Sequence, residues 1–331
     1  MKVAVTDVNR RVITFGLLLL CARAAPAVAQ QPVKVACAGS PQVLPAVDST
    51  RLIADLAALA DDSMEGRGLG TPGGARARAF VLGRFQAIGL DTLETGSIQR
   101  FPVAAKGAGE GANVVALVRG RTRPGRIILV TAHYDHLGVQ QGVVYNGADD
   151  NASGTAAIMA VATWFRKNPP DNTVMFVALD GEEEGLLGAA AFVRDSVVAA
   201  DSVIVDVNLD MVSRSTRREL FAVGPKRYPS LLPYLAMTAC SAQLVLMLGH
   251  DKGWSGSEDW TMQSDQGAFE EAGIPFIYFG VEDHADYHRP TDDVSRIDPG
   301  FFVAATRAIT LFARLVDADP AAIESARTVS R

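Results

Sequence analysis

From about residue 113 onward, short and mostly apolar runs alternate with stretches of helical character. Runs with the composition of buried strands cover residues 173–179, 203–209 and 275–279. Stretches that favour helices lie between and after them, at residues 154–165, 186–195, 231–240, 265–272 and 301–316. Because strands that alternate with helices usually form a parallel sheet covered on both sides, the pattern predicts a three-layer α/β sandwich with a central, mainly parallel sheet flanked by helices.

Two further β-branched, apolar runs precede these, at residues 113–119 and 126–131. Arg123-Pro124-Gly125 lies between them and has the composition of a turn. A short connection of this kind between two strand-like runs predicts a β-hairpin, and the hairpin would make the sheet mixed.

The segment 50–89 is predicted to form two helices joined by a glycine-rich loop. Thr50 is placed to cap the first helix, which runs to Ala60, and Thr71-Pro72 opens the second, which ends near Gly89. The loop at 65–74 is not a phosphate cradle, because it lacks the Gly-Lys-Ser/Thr ending and no strand precedes it.

The first 29 residues have the pattern of a secretory signal. Three basic side chains at positions 2, 10 and 11 precede an apolar run at 12–22, and Ala27-Val28-Ala29 fits a small-residue cleavage site. The run is shorter than the roughly 20 residues of a membrane-spanning helix. We therefore expect an exported protein, periplasmic or secreted, without a stable membrane anchor.

The remaining chain is predicted to hold one folded domain. Residues 30–48 are rich in Pro, Ala and Val and are predicted as a linker or loosely attached arm. No internal repeat or low-complexity linker follows, so residues 49–331 are predicted as a single domain. In an exported protein Cys37 and Cys240 could form a disulfide, but the sequence alone leaves their pairing open.

Composition and charge exclude several classes of protein. Of the 331 residues, 48% are hydrophobic and 21% are charged, which is typical of a folded globular chain and excludes general disorder. The net charge of -6 and the pI near 5.4 argue against a nucleic-acid partner, which would require a basic surface.

Acidic residues and a histidine follow three of the predicted buried strands. His133-Tyr134-Asp135 follows residues 127–132, Asp180-Gly181-Glu182-Glu183 follows 173–179, and Asp210 follows 203–209. In open α/β sheets, ligands bind at the carboxyl ends of the strands. Clustered acids repel one another unless cations neutralise them, and carboxylates combined with imidazole nitrogens suit zinc.

Each of these residues also has a purely structural interpretation. Glu182 to Glu184 could occupy the first turn of a helix, where the helix dipole favours acids. Asp149 and Asp150 could belong to a helix cap, and Asp210 could be an ordinary acid at a strand end. However, four of the five histidines fall within the segments 133–136 and 284–288, which favours a metal site over a set of independent structural roles.

Five segments in a fixed order, within residues 50–316, resemble the di-zinc aminopeptidases of metallopeptidase family 28. The matching segments are Ala132-His133-Tyr134-Asp135, Asn146-Gly147-Ala148-Asp149-Asp150-Asn151-Ala152-Ser153-Gly154, Glu182-Glu183-Glu184-Gly185-Leu186-Leu187-Gly188, Asn208-Leu209-Asp210-Met211 and Asp286-Tyr287-His288. The resemblance implies a zinc-exopeptidase fold. Some relatives carry an inserted protease-associated domain, which we do not expect here because only about fifty residues separate the loop at 65–67 from the predicted strand at 113. The resemblance also implies hydrolysis of N-terminal residues from peptides with a free N-terminus, using two zinc ions and a bridging water.

The resemblance further implies a role for individual residues. Glu182 would be the general base, Asp135 would orient a metal-bound imidazole, and Tyr287 would donate a hydrogen bond to the developing oxyanion. A cis peptide is expected after Asp150, and Glu184 is expected to face solvent. The implied zinc ligands are His133, Asp150, Glu183, Asp210 and His288, with Asp150 shared by both ions.

Some positions depart from the family or carry no assigned role. Gln266 stands where relatives often have histidine, which puts an auxiliary role in doubt. His136 and His284 are predicted to lie at the rim of the site or behind the ligands, or else on the surface. Alternative functions are a single-zinc glutaminyl cyclase or another amidohydrolase of the same fold, and a receptor-like relative that has lost its chemistry.

Overall fold

The computed structural model describes residues 32–103, 109–251 and 258–329, with side chains up to residue 326. The predicted signal sequence therefore lies outside the described residues. The strands are β1 (Val33–Lys34), β2 (Ile98–Pro102), β3 (Glu110–Val118), β4 (Arg123–His133), β5 (Val139–Gln140), β6 (Val143–Val144), β7 (Asn172–Leu179), β8 (Val203–Leu209), β9 (Glu219–Val223), β10 (Val245–Leu248) and β11 (Phe276–Gly280). The α-helices are α1 (Ser49–Leu59), α2 (Pro72–Ile88), α3 (Gly154–Lys167), α4 (Leu187–Arg194), α5 (Leu232–Ala239), α6 (Gln266–Glu271), α7 (Pro299–Ala318) and α8 (Ala321–Val329).

Among the described residues, nine strands form one sheet in the order β1-β10-β9-β11-β8-β4-β7-β3-β2. The four central strands β11, β8, β4 and β7 run parallel to one another. Thr131 of β4 lies opposite Val177 of β7 on one side and Asn208 of β8 on the other. This register brings the carboxyl ends of the three strands to the same edge of the sheet.

Alternate residues of the central strands pack against two separate helix layers. Ile128 and Val130 belong to the core on the face covered by α1, α2, α3, α5 and α7. Leu129, with Met175 and Val177, packs against α4 and α6 on the opposite face. Strands buried on both faces need mostly apolar residues, which explains their near-continuous hydrophobic runs. The predicted three-layer α/β sandwich is confirmed.

The predicted hairpin between β3 and β4 is wrong. β7 lies between the two strands: Val114 of β3 pairs antiparallel with Ala178, and Ile128 of β4 pairs parallel with Val174. The Arg121–Arg123 connection instead bonds to the segment before β7, since Arg123 N–H donates to the carbonyl of Asp171. A strand buried on both faces is stabilised by a partner at each edge, and β4 obtains β7 and β8 in this arrangement. The sheet is nevertheless mixed, because β3 and β9 run against the central strands.

Capping residues set the ends of the first two helices. α1 is capped by Asp48, whose carboxylate accepts the N–H of Arg51, and not by Thr50 as predicted. An aspartate one residue before the helix reaches this N–H and also favours the positive end of the helix dipole. α2 begins after Thr71, which accepts the N–H of Gly74, and ends at the left-handed Gly89, as predicted.

The segment that precedes α1 is fastened to the domain. β1 pairs antiparallel with β10 at the edge of the sheet, and a disulfide joins Cys37 to Cys240 at the end of α5. The prediction of a linker or loosely attached arm therefore needs correction, because the disulfide and the strand pairing both depend on contacts across more than 200 residues of sequence. Within the described residues, no helix combines the length and apolar character needed to cross a membrane.

Candidate metal centre

The acids and histidines predicted to converge do so at one edge of the sheet. His133 ends β4, Asp210 directly follows β8, and Glu182 and Glu183 lie in the turn after β7. The loop after β11 brings His288 to the same place. The central side chains Asp150 and His133 are almost fully buried.

One group of side chains lies on the β4–β8 side. His133 Nε2 is 3.3 Å from Asp210 Oδ1 and 3.5 Å from Asp150 Oδ1. His133, Asp210 and Glu182 each offer a ligand atom within 4.8 Å of the others. Glu182, the predicted base, therefore lies beside His133 and Asp210, two of the predicted ligands. A water molecule bound to a metal ion between these side chains would be close to Glu182.

A second group lies on the other side of Asp150. His288 Nε2 is 3.1 Å from Asp150 Oδ2 and 3.1 Å from Glu183 Oε2. The two carboxylate oxygens of Asp150 thus face different groups, Oδ1 toward His133 and Oδ2 toward His288. The structure brings together all five of the residues predicted as ligands, with Asp150 between the two histidines.

The backbone around Asp150 is held by other buried acids and amides. The Asp150–Asn151 peptide is cis, as predicted. The carboxylate of Asp292 accepts the N–H groups of Asp149 and Asp150 at 3.0–3.1 Å. The side chain of Asn151 donates to the carbonyl of Leu209, at the end of β8. These bonds connect the Asp150 loop directly to the strand that carries Asp210.

Asp135 is fully buried and connects both groups. Its Oδ1 lies 3.6 Å from His133 Nδ1, and its backbone carbonyl lies 3.2 Å from the same nitrogen. Its carboxylate also accepts the N–H groups of Glu182 and Glu183, at 3.1 and 3.3 Å. Asp135 therefore contacts the imidazole of His133 through its carbonyl and holds the turn that presents the two glutamates through its carboxylate.

The environment separates the pKa values of the two adjacent glutamates. Burial, reinforced by the nearby charges of Asp210 and Asp265, raises the pKa of Glu182 well above its usual range. Burial also acts on Glu183, but hydrogen bonds from His136 and His288 outweigh it and lower the pKa of that carboxyl. Two neighbouring acids with opposite shifts are typical of sites where one acid carries a proton and the other remains an anion.

Tyr287 lies against His288 at the metal centre, and Glu184 faces solvent. The ring of Tyr287 stacks on the imidazole of His288 at 3.9 Å, and the residue lines a cleft together with Asp150, Glu182 and Asp210. Burial, together with the neighbouring carboxylates, raises the pKa of the Tyr287 phenol, so the hydroxyl keeps its proton. Glu184 is exposed, whereas Glu182 and Glu183 are not.

Sequence reasoning missed the role of Arg67. Its guanidinium is fully buried and donates to the carbonyls of Leu59, Tyr134, Asn146 and Gly147 at 2.6–2.9 Å, and to that of Asp150 at 3.4 Å. The sequence feature that could have indicated this role is the number of glycines on both sides of Arg67. A Cβ added at Gly66 would lie 2.4 Å from the carbonyl oxygen of Gly138, so this loop needs glycine to approach the site.

Of the three residues without an assigned role, His136 contacts a candidate ligand, and His284 and Gln266 lie behind the site. His136 is buried with its Nδ1 2.7 Å from Glu183 Oε1. His284 lies behind the Asp150 loop, with Nε2 3.1 Å from Asp149 Oδ2. Gln266 is buried in α6, where it accepts from the Asn208 amide and donates to the carbonyl of Trp260, so it acts as a structural bridge beside β8.

The donor set fits divalent cations held by nitrogen and carboxylate ligands. Burial and the charge of Glu183 raise the pKa of Asp150, because the carboxylates repel one another. A cation between them would relieve this repulsion. Imidazole nitrogens with carboxylate oxygens, and no soft sulfur ligand, form the type of site that binds zinc in proteins.

Comparison with known sequences gives the family. Residues 113–313, more than half of the chain, match peptidase family M28. The chain belongs to this family. The matched range begins in β3 and includes all five candidate ligands. The family is one of peptidases.

Individual relatives are similar over shorter segments. A probable zinc metalloprotease of Leptosphaeria maculans is 37% identical over 131 residues, which cover 36% of this chain and 30% of the relative. Aminopeptidase YwaD of Bacillus subtilis is 31% identical over 180 residues, 52% of this chain and 37% of the relative. The chain thus matches well under half the length of either of these two curated relatives.

Solved structures share the fold over most of the chain. BSAP, a zinc aminopeptidase from Bacillus subtilis, aligns with a TM-score of 0.68 and 16% identity, covering 82% of this chain and 95% of that structure. A glutaminyl cyclase from Porphyromonas gingivalis aligns with a TM-score of 0.66 and 16% identity, covering 81% and 98%. At this identity the likeness shows the M28 fold and leaves the reaction to be argued from the site.

Proposed function

We propose that the protein is a zinc-dependent aminopeptidase that binds two zinc ions and removes N-terminal residues from peptides. The observation that carries the proposal is the position of Asp150, whose two oxygens lie 3.5 Å from His133 Nε2 and 3.1 Å from His288 Nε2. A carboxylate between two histidines, each accompanied by a further acid, suits a pair of cations that share one ligand. The names of the zinc metalloprotease and aminopeptidase relatives support the same metal and reaction.

Each residue of the centre has a proposed part in binding the metal. His133 and Asp210 would hold one ion, His288 and Glu183 the other, and Asp150 would bridge them. When bound, the zinc pair supplies an activated water and polarises the scissile carbonyl. Asp135 fixes the tautomer and orientation of His133.

The proton transfers would be made by the chain itself. Glu182 would accept a proton from the attacking water and return it to the leaving amine. Its raised pKa brings it closer to the operating pH, where a general base is most efficient. The Tyr287 hydroxyl, kept protonated by its surroundings, would donate to the oxyanion that develops in the transition state.

The charge of the cleft supports the proposed preference for a free N-terminus. Its lining includes the acids Asp150, Glu182, Asp210 and Asp283. A substrate α-ammonium is attracted to such a concentration of negative charge, whereas an internal peptide bond offers no cation. Trp260 and Tyr278 contribute apolar surface to the same cleft, which would contact the first side chain of the substrate.

Export is part of the proposal. The predicted signal in residues 1–29 would direct the chain to the periplasm or the medium. The Cys37–Cys240 disulfide supports this location, since disulfides persist mainly in oxidising compartments.

A glutaminyl cyclase is the second candidate, because structures with that activity share this fold over nearly their whole length. The two histidines on opposite sides of Asp150 favour two metals over one. Zinc content per chain, measured together with hydrolysis of a panel of aminoacyl-nitroanilides and cyclisation of glutaminyl peptides, separates the two. We expect about two zinc ions, nitroanilide hydrolysis that a chelator abolishes, and no cyclisation. One zinc with cyclisation would establish the alternative.

The role of Glu182 has its own test. Glu182→Gln preserves the size of the side chain but cannot accept the proton, so we expect unchanged zinc content and a loss of about 100- to 10,000-fold in kcat. Glu184→Gln is the matched control, because its carboxylate is exposed and one residue beyond the second glutamate. A large loss in the control, with little loss in Glu182→Gln, would show that the assignment is shifted along the triple glutamate.

A further inference from the structure

His136 is a buried imidazole beside the metal centre to which the proposed mechanism gives no role. Its side chain is fully buried, and its ring packs against Gly147. A Cβ at Gly147 would lie 2.5 Å from two ring carbons of His136, and Gly147 adopts a left-handed conformation with φ of 54°. The position of the imidazole is therefore fixed by a glycine of the Asp150 loop.

The two oxygens of Glu183 face different histidines. Oε2 lies 3.1 Å from His288 Nε2, on the side where His288 and Asp150 converge. Oε1 lies 2.7 Å from His136 Nδ1, a normal hydrogen-bond distance. His136 Nδ1 is farther from Asp150, at 3.7 Å from Oδ2. Glu183 thus directs one oxygen toward the proposed metal position and the other toward His136.

His136 Nδ1 could either bind a metal ion or donate a hydrogen bond to Glu183. The surroundings of the other ring nitrogen, Nε2, distinguish these two roles. Among the described residues, Nε2 is buried and has no hydrogen-bond partner. If Nδ1 were a metal ligand, the proton of the neutral ring would sit on Nε2, and a buried N–H without an acceptor is costly. If Nδ1 carries the proton and donates to Glu183, only a lone pair is left without a partner. Metal-bound histidines normally donate their second N–H, as His133 can to Asp135.

We propose that His136 is a positioning residue that donates its Nδ1–H to Glu183 Oε1, so that Glu183 binds metal through Oε2 alone. The inference rests on the proposed di-zinc function and extends it. A glutamate restricted to one oxygen occupies a single coordination position and leaves space on that ion for water or substrate. Without the hydrogen bond, Glu183 could rotate, and the affinity of the His288 side for zinc would fall.

Two substitutions distinguish a positioning role of His136 from a role as a metal ligand or as a packing residue. In His136→Asn, the amide nitrogen occupies the place of Nδ1 and can still donate to Glu183. In His136→Leu, the side chain retains much of the volume but has no donor. We expect His136→Asn to bind zinc within about threefold of the parent, and His136→Leu to bind one of its two zinc ions about 10- to 100-fold more weakly.

The measurement is competition for zinc with a chromophoric chelator, on the full chain, with Glu184→Gln as a control of unchanged affinity. The visible spectrum of the cobalt-substituted protein provides a second readout, and it should be the same for the parent and His136→Asn. Equal, large losses in both variants with an altered cobalt spectrum would make His136 a ligand. A loss only in His136→Asn would make it a packing residue.

The controls also distinguish this inference from the proposed function. If the parent binds two zinc ions and neither substitution changes either affinity, only the role of His136 is wrong. If the parent binds no zinc with appreciable affinity, the proposed function fails, and the inference with it.

Discussion

Among single residues, Arg67 shows how a cluster of acids is accommodated before any metal binds. Burial lowers the pKa of its guanidinium to about 10, while the charges of Asp150, Asp292 and Asp135 oppose the shift. It therefore remains a cation at neutral pH. Its hydrogen bonds reach the carbonyls of the β4 end and of the Asp150 loop, so one buried cation both offsets the acids and fixes the segments that present them.

This arrangement makes Arg67 a strong contributor to stability. Arg67→Met would leave buried carbonyls without donors, at a cost of about 1–3 kcal/mol each, so we expect the free energy of unfolding to fall by at least ~3 kcal/mol. Arg67→Lys should recover part of this loss, because an ammonium has three donors but no planar fork. Urea unfolding of the chelator-treated protein measures both variants.

The matched control is Arg100→Met. Arg100 forms an ion pair with Glu110 in which both side chains are more than half exposed, and exposed pairs contribute about 0–1 kcal/mol. If Arg67→Met proved no less stable than this control, the hydrogen bonds of Arg67 would be energetically unimportant.

Among the secondary-structure elements, those that are buried on both faces were the predictable ones. β7 and β8 are mostly apolar and buried along their whole length, and the acids that follow them identify the site edge without knowledge of the strand order. The order itself was not predictable: apolar character places β3 and β4 in a sheet, but their neighbours depend on contacts with β7, which is distant in sequence. β9 and β10 are short strands near the sheet edge, and neither was predicted.

The residues of the candidate site were likewise predictable only in part. Candidate ligands such as His133 and His288 stand in motifs with a fixed spacing, which a sequence displays directly. Arg67 and His136 act through backbone carbonyls and through a carboxylate from another loop, and no local pattern indicates those partners.

The disulfide is the element-scale feature with the clearest energetic consequence. The bond joins two cysteines that are 203 residues apart in sequence, and it links the segment after β1 to the end of α5. Cross-links of this kind typically contribute about 2–4 kcal/mol, mainly by restricting the unfolded chain. We therefore expect Cys37→Ser and Cys240→Ser each to lower the free energy of unfolding by that amount, with zinc content unchanged because the metal centre lies elsewhere.

Denaturant unfolding of the two variants, compared with the parent before and after reduction, checks this expectation. The reduced parent should match the variants, and reduction should leave the variants unaffected. A parent whose stability is insensitive to a reductant that demonstrably opens the bond would contradict the assigned contribution.

For the whole molecule, the acid cluster predicts how stability depends on pH. Burial is the largest cause that raises the pKa of Asp292 to about 6, of Asp180 to about 7 and of Asp265 to about 8. In the unfolded chain these groups titrate near 3.8. The metal-free fold therefore binds protons that the unfolded chain has already released. This contribution to stability is lost progressively as the pH rises from about 4 to about 8, and the last part of the loss falls between pH 6 and 8.

The raised pKa of His288 also makes the metal-free fold more stable at lower pH. Hydrogen bonds to Asp150 and Glu183 raise the pKa of His288 to about 10, so between pH 6.5 and 8 the metal-free fold keeps a proton that the unfolded chain releases. The lowered pKa of Glu183 acts in the opposite direction, but only below the ordinary range of a glutamate, outside this window. All contributions between pH 6 and 8 therefore favour the lower pH.

Each additional proton that the folded state binds lowers the free energy of unfolding by about 1.4 kcal/mol for every unit by which the pH rises. We accordingly expect the chelator-treated protein to melt several degrees lower at pH 8 than at pH 6. Zinc competes with these protons, so its stabilising effect should be larger at pH 8 than at pH 6. Thermal unfolding at both pH values, with chelator, with zinc and with calcium as a cation that does not favour imidazole ligands, measures the two effects. An equal gain from zinc at both pH values would mean that the cation does not displace the protons of this cluster, and hence that it binds elsewhere on the protein.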